Sequence, residues 1–455
     1  MADLRQSIHG EWASRWAFIL AATGSAVGLG NIWRFPYVVG EHGGAAFILV
    51  YLACILLIGV PVMMSEILIG RRGRQSPINT MRTLPREYGT TQAWQVLGWL
   101  GVLAGFLVLS FYSVVAGWSL AYVPYTAFGT FTGAETGAVE ATFEGLLGRP
   151  WELLLWHTLF MGLTAFIVMR GVQNGLERAV RLLMPVLFLL LLVMVGYAMG
   201  AGAFLEALDF MFTPEFGALT GESVLVAMGQ AFFTLSLGLG AIMAYGSYLS
   251  RKSSIPANTG VIAGADTVIA LLAGLAIFPI VLASGLDPDA GPGLVFVTLS
   301  YGFGQMPLGA LFGTLFFLLL SFAALTSAIS IMEPATAYLV ETRGWRRPKA
   351  TAAVAGAAWL VGIGSLLSFN LWAGYTLAGL NFQEITEYLS TSIMLPLGGL
   401  LMALFAGWIL PRHVTAHELG IAEDNRWYRT WRVLVRYVVP AAIIVVFINS
   451  LGLIG

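Results

Sequence analysis

The sequence is dominated by apolar runs, most of them long enough to cross a membrane. A helix rises 1.5 Å per residue, so about 20 residues span the ~30 Å hydrocarbon core of a bilayer. Charged residues make up only 10% of the 455-residue chain, whereas soluble domains carry roughly 25%. We therefore predict an all-α integral membrane protein, a single transmembrane domain over 1–455 with about eleven spans. The predicted spans are 16–40, 43–70, 95–128, 151–170, 179–201, 224–249, 258–285, 305–340, 350–370, 385–410 and 432–454.

The basic residues predict the orientation of these spans. Of the 23 lysines and arginines, all but Arg34 and Arg149 lie in the N-terminal segment or in alternate connections. Basic connections stay in the cytoplasm during insertion. We therefore expect a multi-pass protein with a cytoplasmic N-terminus and, for an odd number of spans, a C-terminus on the opposite side. The net charge of −1 favours no nucleic-acid partner, and the single Cys54 excludes internal disulfides.

Two predicted spans contain a glycine-rich interruption. Residues 24–31 read GSAVGLGN and residues 233–240 read FTLSLGLG. Each glycine weakens a helix by about 1 kcal/mol, and irregular backbone is tolerated at membrane depth only where it lines a cavity. Close helix packing through small residues is the alternative for either stretch. Because the second lies five spans after the first, the pair is typical of an inverted-repeat transporter, here with repeats 16–201 and 224–411 and an additional helix 432–454.

Polar side chains inside apolar spans are costly and usually functional. Thr326 and Ser327 are adjacent in the eighth span, and Asp266 stands near the start of the seventh. The alternatives are hydrogen bonds of the hydroxyls to their own helix and a helix-capping role for Asp266. Arg34 ends the first span on the outer side, where it either snorkels or pairs with Glu387.

Other classes of chemistry are poorly represented. The five histidines lie near span ends or in loops and form no metal-binding cluster within a span. No phosphate-binding loop and no GxSxG motif is present, so we expect neither an ATP-driven pump nor an enzyme.

Residues 25–37, SAVGLGNIWRFPY, closely resemble the signature of the neurotransmitter:sodium symporter family. Residues 232–238 and 325–327 resemble it as well, and the resemblance covers nearly the whole chain from Trp12 onward. It implies a five-plus-five inverted repeat with discontinuous first and sixth helices, here with eleven spans as in several bacterial members. It also implies a symporter in the bacterial inner membrane that carries a small-molecule substrate with sodium by alternating access.

The resemblance further implies two sodium sites built from oxygen donors, with the substrate carboxylate as an additional ligand of the first. The first site is expected to comprise Ala26, Asn31, Thr234 and Asp266. The second is expected to comprise Gly24, Val27, Ala323, Thr326 and Ser327.

Substrate contacts, gates and a conformational element are implied in the same way. The expected substrate-binding residues are Ala26, Gly28, Leu29, Gly30, Val108, Tyr112, Phe233, Thr234, Ser236, Leu239, Ser327 and Ile331. The expected outer lid is Phe233 with Tyr112, the outer ion pair is Arg34 with Glu387, and the inner gate includes Tyr248 and Glu341. Gly175 and Pro185 have the spacing that lets the fifth span unwind, unless they are an ordinary loop glycine and helix proline.

Four departures from the family pattern refine these expectations. Gly28 stands where monoamine carriers have Asp, which favours amino acids over amines. Asp266 stands where chloride-dependent members have a neutral amide, so we expect no chloride requirement. Leu239 replaces a phenylalanine found in an aliphatic-selective relative, which favours bulky hydrophobic or aromatic L-amino acids. His9 replaces an arginine of the cytoplasmic gate, so Arg5 or Arg15 is expected to take its place.

Two rival functions remain open at this point. One is a proton-coupled carrier of the same fold, in which Asp266 or Glu333 titrates. The other is an amino-acid-binding sensor or channel that does not concentrate its ligand. The sequence leaves the oligomeric state open.

Overall fold

The computed structural model describes residues 6–285 and 293–450, which form helices, turns and one isolated bridge between Leu377 and Leu380. Several helices contain π-helical turns. The first half comprises α1 (Arg15–Ala26), α2 (Gly30–Glu41), α3 (Ala45–Gly73), α4 (Pro77–Glu87), α5 (Gln92–Ala127), α6 (Thr136–Leu147), α7 (Pro150–Val168) and α8 (Val172–Ala201). The second half comprises α9 (Phe204–Phe212), α10 (Gly221–Thr234), α11 (Ala241–Ser247), α12 (Ile255–Ala283), α13 (Leu294–Gln305), α14 (Gly309–Arg343), α15 (Arg347–Leu367), α16 (Phe382–Ile409), α17 (Arg412–Leu419) and α18 (Arg426–Ile448).

The helices agree with the predicted spans in number to within about one. In the described parts of the chain, nine helices are long and apolar enough to cross a membrane, and α1 with α2 forms a tenth span bent by 50°. The sixth predicted run, 224–249, is covered by α10 and α11, neither of which is long enough alone. The prediction of an all-α membrane fold is confirmed. The boundaries of the two repeats stay predictions, and residues 451–454 of the predicted last span lie outside the described residues.

The structure corrects two placements. Arg34 does not end the first span, because α2 continues past Pro36 to Glu41. Pro36 is tolerated because it lies in the first turn of the regular segment after the π-helical turn, where its missing N–H matters least. Asp266 is not a helix cap, because it lies eleven residues past Ile255 and is fully buried, while Ser254 caps α12.

The interior of the molecule lies around α5 and α14. In their most apolar stretches, 83% of α14 and 78% of α5 is buried, against 28% of α8. Polar groups on α14 therefore face protein, whereas much of α8 is available to lipid. The two interrupted spans pack beside this interior, where irregular backbone is protected from hydrocarbon.

Candidate functional site

Both predicted interruptions are breaks in the helical backbone. Between α1 and α2 the chain turns extended at Val27, with φ −73° and ψ 109°. Between α10 and α11, residues 235–240 are non-helical, and Ser236, Gly238 and Gly240 all have positive φ. Gly238 also packs tightly, since a Cβ there would lie 2.6 Å from the Leu395 carbonyl oxygen.

The two breaks are tied together by buried hydrogen bonds. Ser236 Oγ donates to the Ser25 carbonyl at 2.7 Å, and Gln230 Nε2 donates to the Gly30 carbonyl at 2.8 Å. Glu66 of α3 accepts a 2.6 Å hydrogen bond from the Gly238 N–H. Sequence reasoning missed Glu66 and Gln230, although the rule that drew attention to Asp266, a polar group within an apolar span, applies to both.

Eleven of the twelve predicted substrate residues line one small cavity, which we call the central cavity, of about 20 Å³. Thr234 is the exception, and it faces the adjacent Asp266 instead. Leu395 of α16 completes the wall and was not predicted. The full lining is Ala26, Gly28, Leu29, Gly30, Val108, Tyr112, Phe233, Ser236, Leu239, Ser327, Ile331 and Leu395.

Three of the four predicted residues of the first sodium site, Asn31, Thr234 and Asp266, form a buried polar cluster. Asn31 Nδ2 donates to Asp266 Oδ1 at 2.8 Å, and Thr234 Oγ1 lies 3.1 Å from Asp266 Oδ2. All three residues are 0% exposed. Hydrogen bonds to a carboxylate in a water-poor interior are strong, so the cluster fixes a carboxyl group beside the first helix break.

The predicted residues of the second sodium site meet on the other side of that break. Ser327 Oγ lies 3.4 Å from the Gly24 carbonyl oxygen and 3.2 Å from that of Val27. Thr326 Oγ1 instead bonds the Ala323 and Phe322 carbonyls of its own helix, as the intrahelical alternative predicts. Of this adjacent pair, Ser327 is thus the hydroxyl that reaches across to the first span.

These groups suit a hard cation better than a transition metal. The described residues contain no cluster of three or more His, Cys, Asp or Glu side chains that would bind a metal. The two sets supply carbonyl, hydroxyl and amide oxygens with a single carboxylate, the donor chemistry of hard cations.

Tyr112 and Gly28 shape the cavity beside the first break. The Leu29 N–H donates to the Tyr112 hydroxyl at 3.3 Å. A Cβ at position 28 would lie 2.4 Å from Ser327 Oγ and 2.9 Å from Tyr112 Oη. Any side chain at position 28 would displace these two hydroxyls.

On one side of the central cavity lies an open vestibule of about 300 Å³. Arg34 and Glu387 both line it, as do Tyr112 and Phe233 of the predicted lid. The Arg34 guanidinium lies over the Phe233 ring, 4.9 Å from its centroid. Among the described residues, the ion pairs do not include Arg34 with Glu387, so this predicted pair is apart in this conformation.

The opposite side is closed by two carboxylates. Glu341 contacts His9 Nε2 at 3.1 Å and accepts hydrogen bonds from Ser76 and Asn79. His9 therefore takes the position expected for Arg5 or Arg15. Arg15 bonds Asn258 instead, and Arg5 lies outside the described residues.

The second carboxylate is Glu333, which is 0% exposed. It accepts a 2.8 Å hydrogen bond from the Tyr248 hydroxyl and forms an ion pair with Arg347. Tyr248 thus bonds Glu333 rather than Glu341. Trp12 packs against Tyr248, and its backbone N–H donates to the Tyr248 carbonyl at 3.1 Å.

Gly175 and Pro185 both lie within α8. Gly175 belongs to a π-helical turn, Val172–Glu177, so it is not an ordinary loop glycine. A Cβ there would lie 2.2 Å from the Ile167 carbonyl oxygen. The segment is wound in this conformation, and its unwinding stays a prediction.

Comparison with known proteins agrees with this geometry. The sodium:neurotransmitter symporter family model matches residues 9–138 and 136–454. An uncharacterized sodium-dependent transporter of Bacillus subtilis, YhdH, is 39% identical, over 98% of both chains. A sodium-dependent transporter of Haemophilus influenzae is 34% identical over 97% of this chain and 98% of its own. The crystal structure of MhsT in complex with L-phenylalanine superposes with a TM-score of 0.90 at 44% identity, covering 97% of this chain and 99% of MhsT.

These matches extend over nearly the whole chain, and the range that the family model matches contains both broken spans and the candidate site. The chain therefore belongs to the sodium:neurotransmitter symporter family, whose members are membrane transporters rather than enzymes.

Proposed function

We propose that the protein is a sodium-coupled, chloride-independent symporter of bulky hydrophobic or aromatic L-amino acids. The observation that carries the proposal is the convergence of both helix breaks on one cavity beside the Asp266 cluster. Ala26 belongs to both the substrate set and the first sodium set. In this proposal the substrate carboxylate and the first sodium ion are direct neighbours.

The amino-acid class follows from the polarity of the first break. The N–H groups of Leu29 and Gly30 lie at the start of α2, where a helix favours an anion. Because residue 28 is glycine, this position offers no carboxylate to bind an amine, and a side chain here would clash with Ser327 and Tyr112. A substrate that carries its own carboxylate fits this wall. The ammonium group is proposed to bind the carbonyls of Ala26, Phe233 and Thr234 and the hydroxyl of Ser236.

The coupling follows from shared ligands. If the carboxylate and the first sodium complete one another's coordination, each raises the other's affinity by the same factor. Sodium entry down the membrane potential then supplies about 2.3 kcal/mol per charge per 100 mV. A second ion is proposed at the carbonyls of Gly24, Val27 and Ala323 with Thr326 and Ser327.

The preference for bulky side chains is supported by the apolar wall of Val108, Leu239 and Ile331. MhsT, the structural neighbour, is described in complex with L-phenylalanine. For this chain we propose the same class of ligand.

The test is binding of each of the twenty L-amino acids to purified protein with sodium and with potassium in its place. We expect bulky hydrophobic amino acids to bind only in the presence of sodium. The sodium concentration that gives half-maximal binding should fall as the amino-acid concentration is raised. Affinity indifferent to sodium would contradict the coupling.

Chloride independence has a separate test at Asp266. With the fixed carboxylate present, uptake is expected to be the same in chloride and in gluconate. Replacing it by Asp266→Asn removes the charge, so transport is expected to fall and to recover partly with chloride. An Asp266→Asn variant that transports equally well with and without chloride would contradict the hypothesis.

The proton-coupled alternative in which Glu333 titrates is weakened by the position of this residue. This carboxylate is bonded to Arg347 and Tyr248 on the closed side and does not line the central cavity. Uptake that persists without sodium under a pH gradient would favour that alternative. Reconstituted vesicles that never accumulate label above equilibrium would favour a sensor or channel.

A further inference from the structure

Leu395 of α16 lies between two cavities. It lines the central cavity, and it also lines a second cavity of about 220 Å³ between α10, α16 and α18. Phe233 is the other residue that lines both. We call the second one the side cavity; its wall includes Val226, Gly229, Phe232, Leu395, Pro396 and Ile443.

The central cavity is too small for the ligand class proposed above. Its volume of about 20 Å³ is room for about one water molecule, far less than the space that a whole amino acid with a bulky side chain occupies. A bulky side chain therefore enters only if a wall residue moves. Protein interiors are close-packed, so the residue that moves must have open space behind it.

Three wall residues, Leu29, Tyr112 and Phe233, also line the vestibule and lie on the side of the proposed outer lid. Among the other wall residues, Leu395 has open space behind it, because it also lines the side cavity. Val108 and Ile331 are β-branched, which restricts their rotamers, and they lie on α5 and α14, the most buried spans. Leu395 instead has the side cavity behind it. It also lies at a local irregularity, because a π-helical turn, Tyr388–Met394, precedes it and Pro396, which lacks an N–H, follows.

We propose that Leu395 sets the upper size limit of the transported side chain, by turning into the side cavity when a bulky substrate binds. The inference rests on the proposed function and names the residue that determines side-chain preference. The side cavity serves as the space that takes up Leu395. Substrates with small side chains need less of this movement.

The sharpest test fills the side cavity from its far wall. Gly229 of α10 lines only that cavity, and a Cβ there meets no atom within 4 Å. A Gly229→Phe substitution occupies the space behind Leu395 without contacting the substrate. Gly229→Ala is the matched control, because it makes the same backbone change and fills little.

In sodium buffer, we expect Gly229→Phe to weaken binding of L-tryptophan and L-phenylalanine by about tenfold or more. A poorer fit in an apolar pocket lowers affinity by about this factor. Binding of L-valine and L-alanine should change less than about twofold, and Gly229→Ala should resemble wild type. A Gly229→Phe variant that weakens all four ligands equally, or none, overturns the inference.

A second variant gives the opposite change and decides the matter if Gly229→Phe does not fold. Leu395→Ala joins the two cavities, so the ratio of tryptophan to valine affinity is expected to rise by about tenfold. An unchanged ratio overturns the inference even though wild type binds amino acids. Wild-type protein that binds none of the four would instead contradict the proposed function itself, and this inference with it.

Discussion

The two sides of the central cavity differ in how their charged groups are used. On the vestibule side, Arg34 and Glu387 line an open space of about 300 Å³ without pairing in the described structure. On the opposite side, Glu341 and Glu333 are 7% and 0% exposed, and each is held by several partners. The chain is thus open towards the vestibule and closed at the opposite end.

For the proposed alternating-access cycle, this difference indicates which side costs more free energy to open. Charges that line an open vestibule remain hydrated, and bringing them together contributes little. Charges that are buried and fully paired are costly to separate. In the proposed transport cycle, opening the Glu341 and Glu333 side is therefore expected to need free energy from ligand binding, whereas closing the vestibule is expected to need only a modest gain.

Breaking the pair between Glu333 and Arg347 is expected to have the largest effect. Arg347→Ala leaves the fully buried Glu333 carboxylate without its cation, and such a loss destabilises a protein by about 3 kcal/mol or more. We expect a lower unfolding temperature in detergent, measured by the fluorescence of the 14 tryptophans. The double variant with Glu333→Gln removes the orphaned charge and should recover most of the loss. A double variant no more stable than Arg347→Ala would contradict the argument.

The second-largest effect is expected from weakening the hydrogen bonds of Glu341. Glu341→Gln keeps the shape but removes the charge that holds Ser76 and Asn79, hydrogen bonds worth about 1.5 kcal/mol or more. The equilibrium between the conformation described here and one that is open on the Glu341 side should then shift roughly tenfold towards the second. The readout is labelling of a cysteine introduced at Ala244, which is fully buried on α11, in a Cys54→Ser background.

The control for that variant is Glu87→Gln, which removes a partly exposed carboxylate paired with Arg72. It should leave labelling at Ala244 unchanged. Equal labelling in the two variants would mean that Glu341 does not hold this side closed.

The fold was largely predictable because apolar length and glycine content are local signals. The non-helical segment 235–240 was indicated by Gly238 and Gly240, both of which have positive φ. The positive φ of Ser236 had no signal in the sequence. Span ends were less predictable. The fifth span begins at Val172 rather than 179, because a π-helical turn that includes Gly175 precedes its apolar run.

Site residues could be predicted where a polar side chain interrupts an apolar run. They could not be predicted where the residue contributes only by packing. Asp266 and Ser327 are conspicuous in apolar runs, and Glu66 is equally conspicuous but was overlooked. Leu395 is one leucine among many in the run 385–410, so only the tertiary structure places it at the cavity. At the predicted inner gate, His9 itself contacts Glu341 and Arg15 bonds Asn258, so Arg15 does not replace His9 in this structure.

The smallest effect on stability is expected at the vestibule. Glu387→Gln and Arg34→Lys remove no ion pair of this conformation, so the free energy of unfolding should change by less than about 1 kcal/mol. The two side chains are proposed to meet only when the vestibule closes over bound substrate. Each variant should therefore release amino acid faster, by a factor of a few, in a filter-binding chase. A loss of stability as large as that of Arg347→Ala would show that the vestibule charges also hold the open conformation, and the contrast between the two sides would fail.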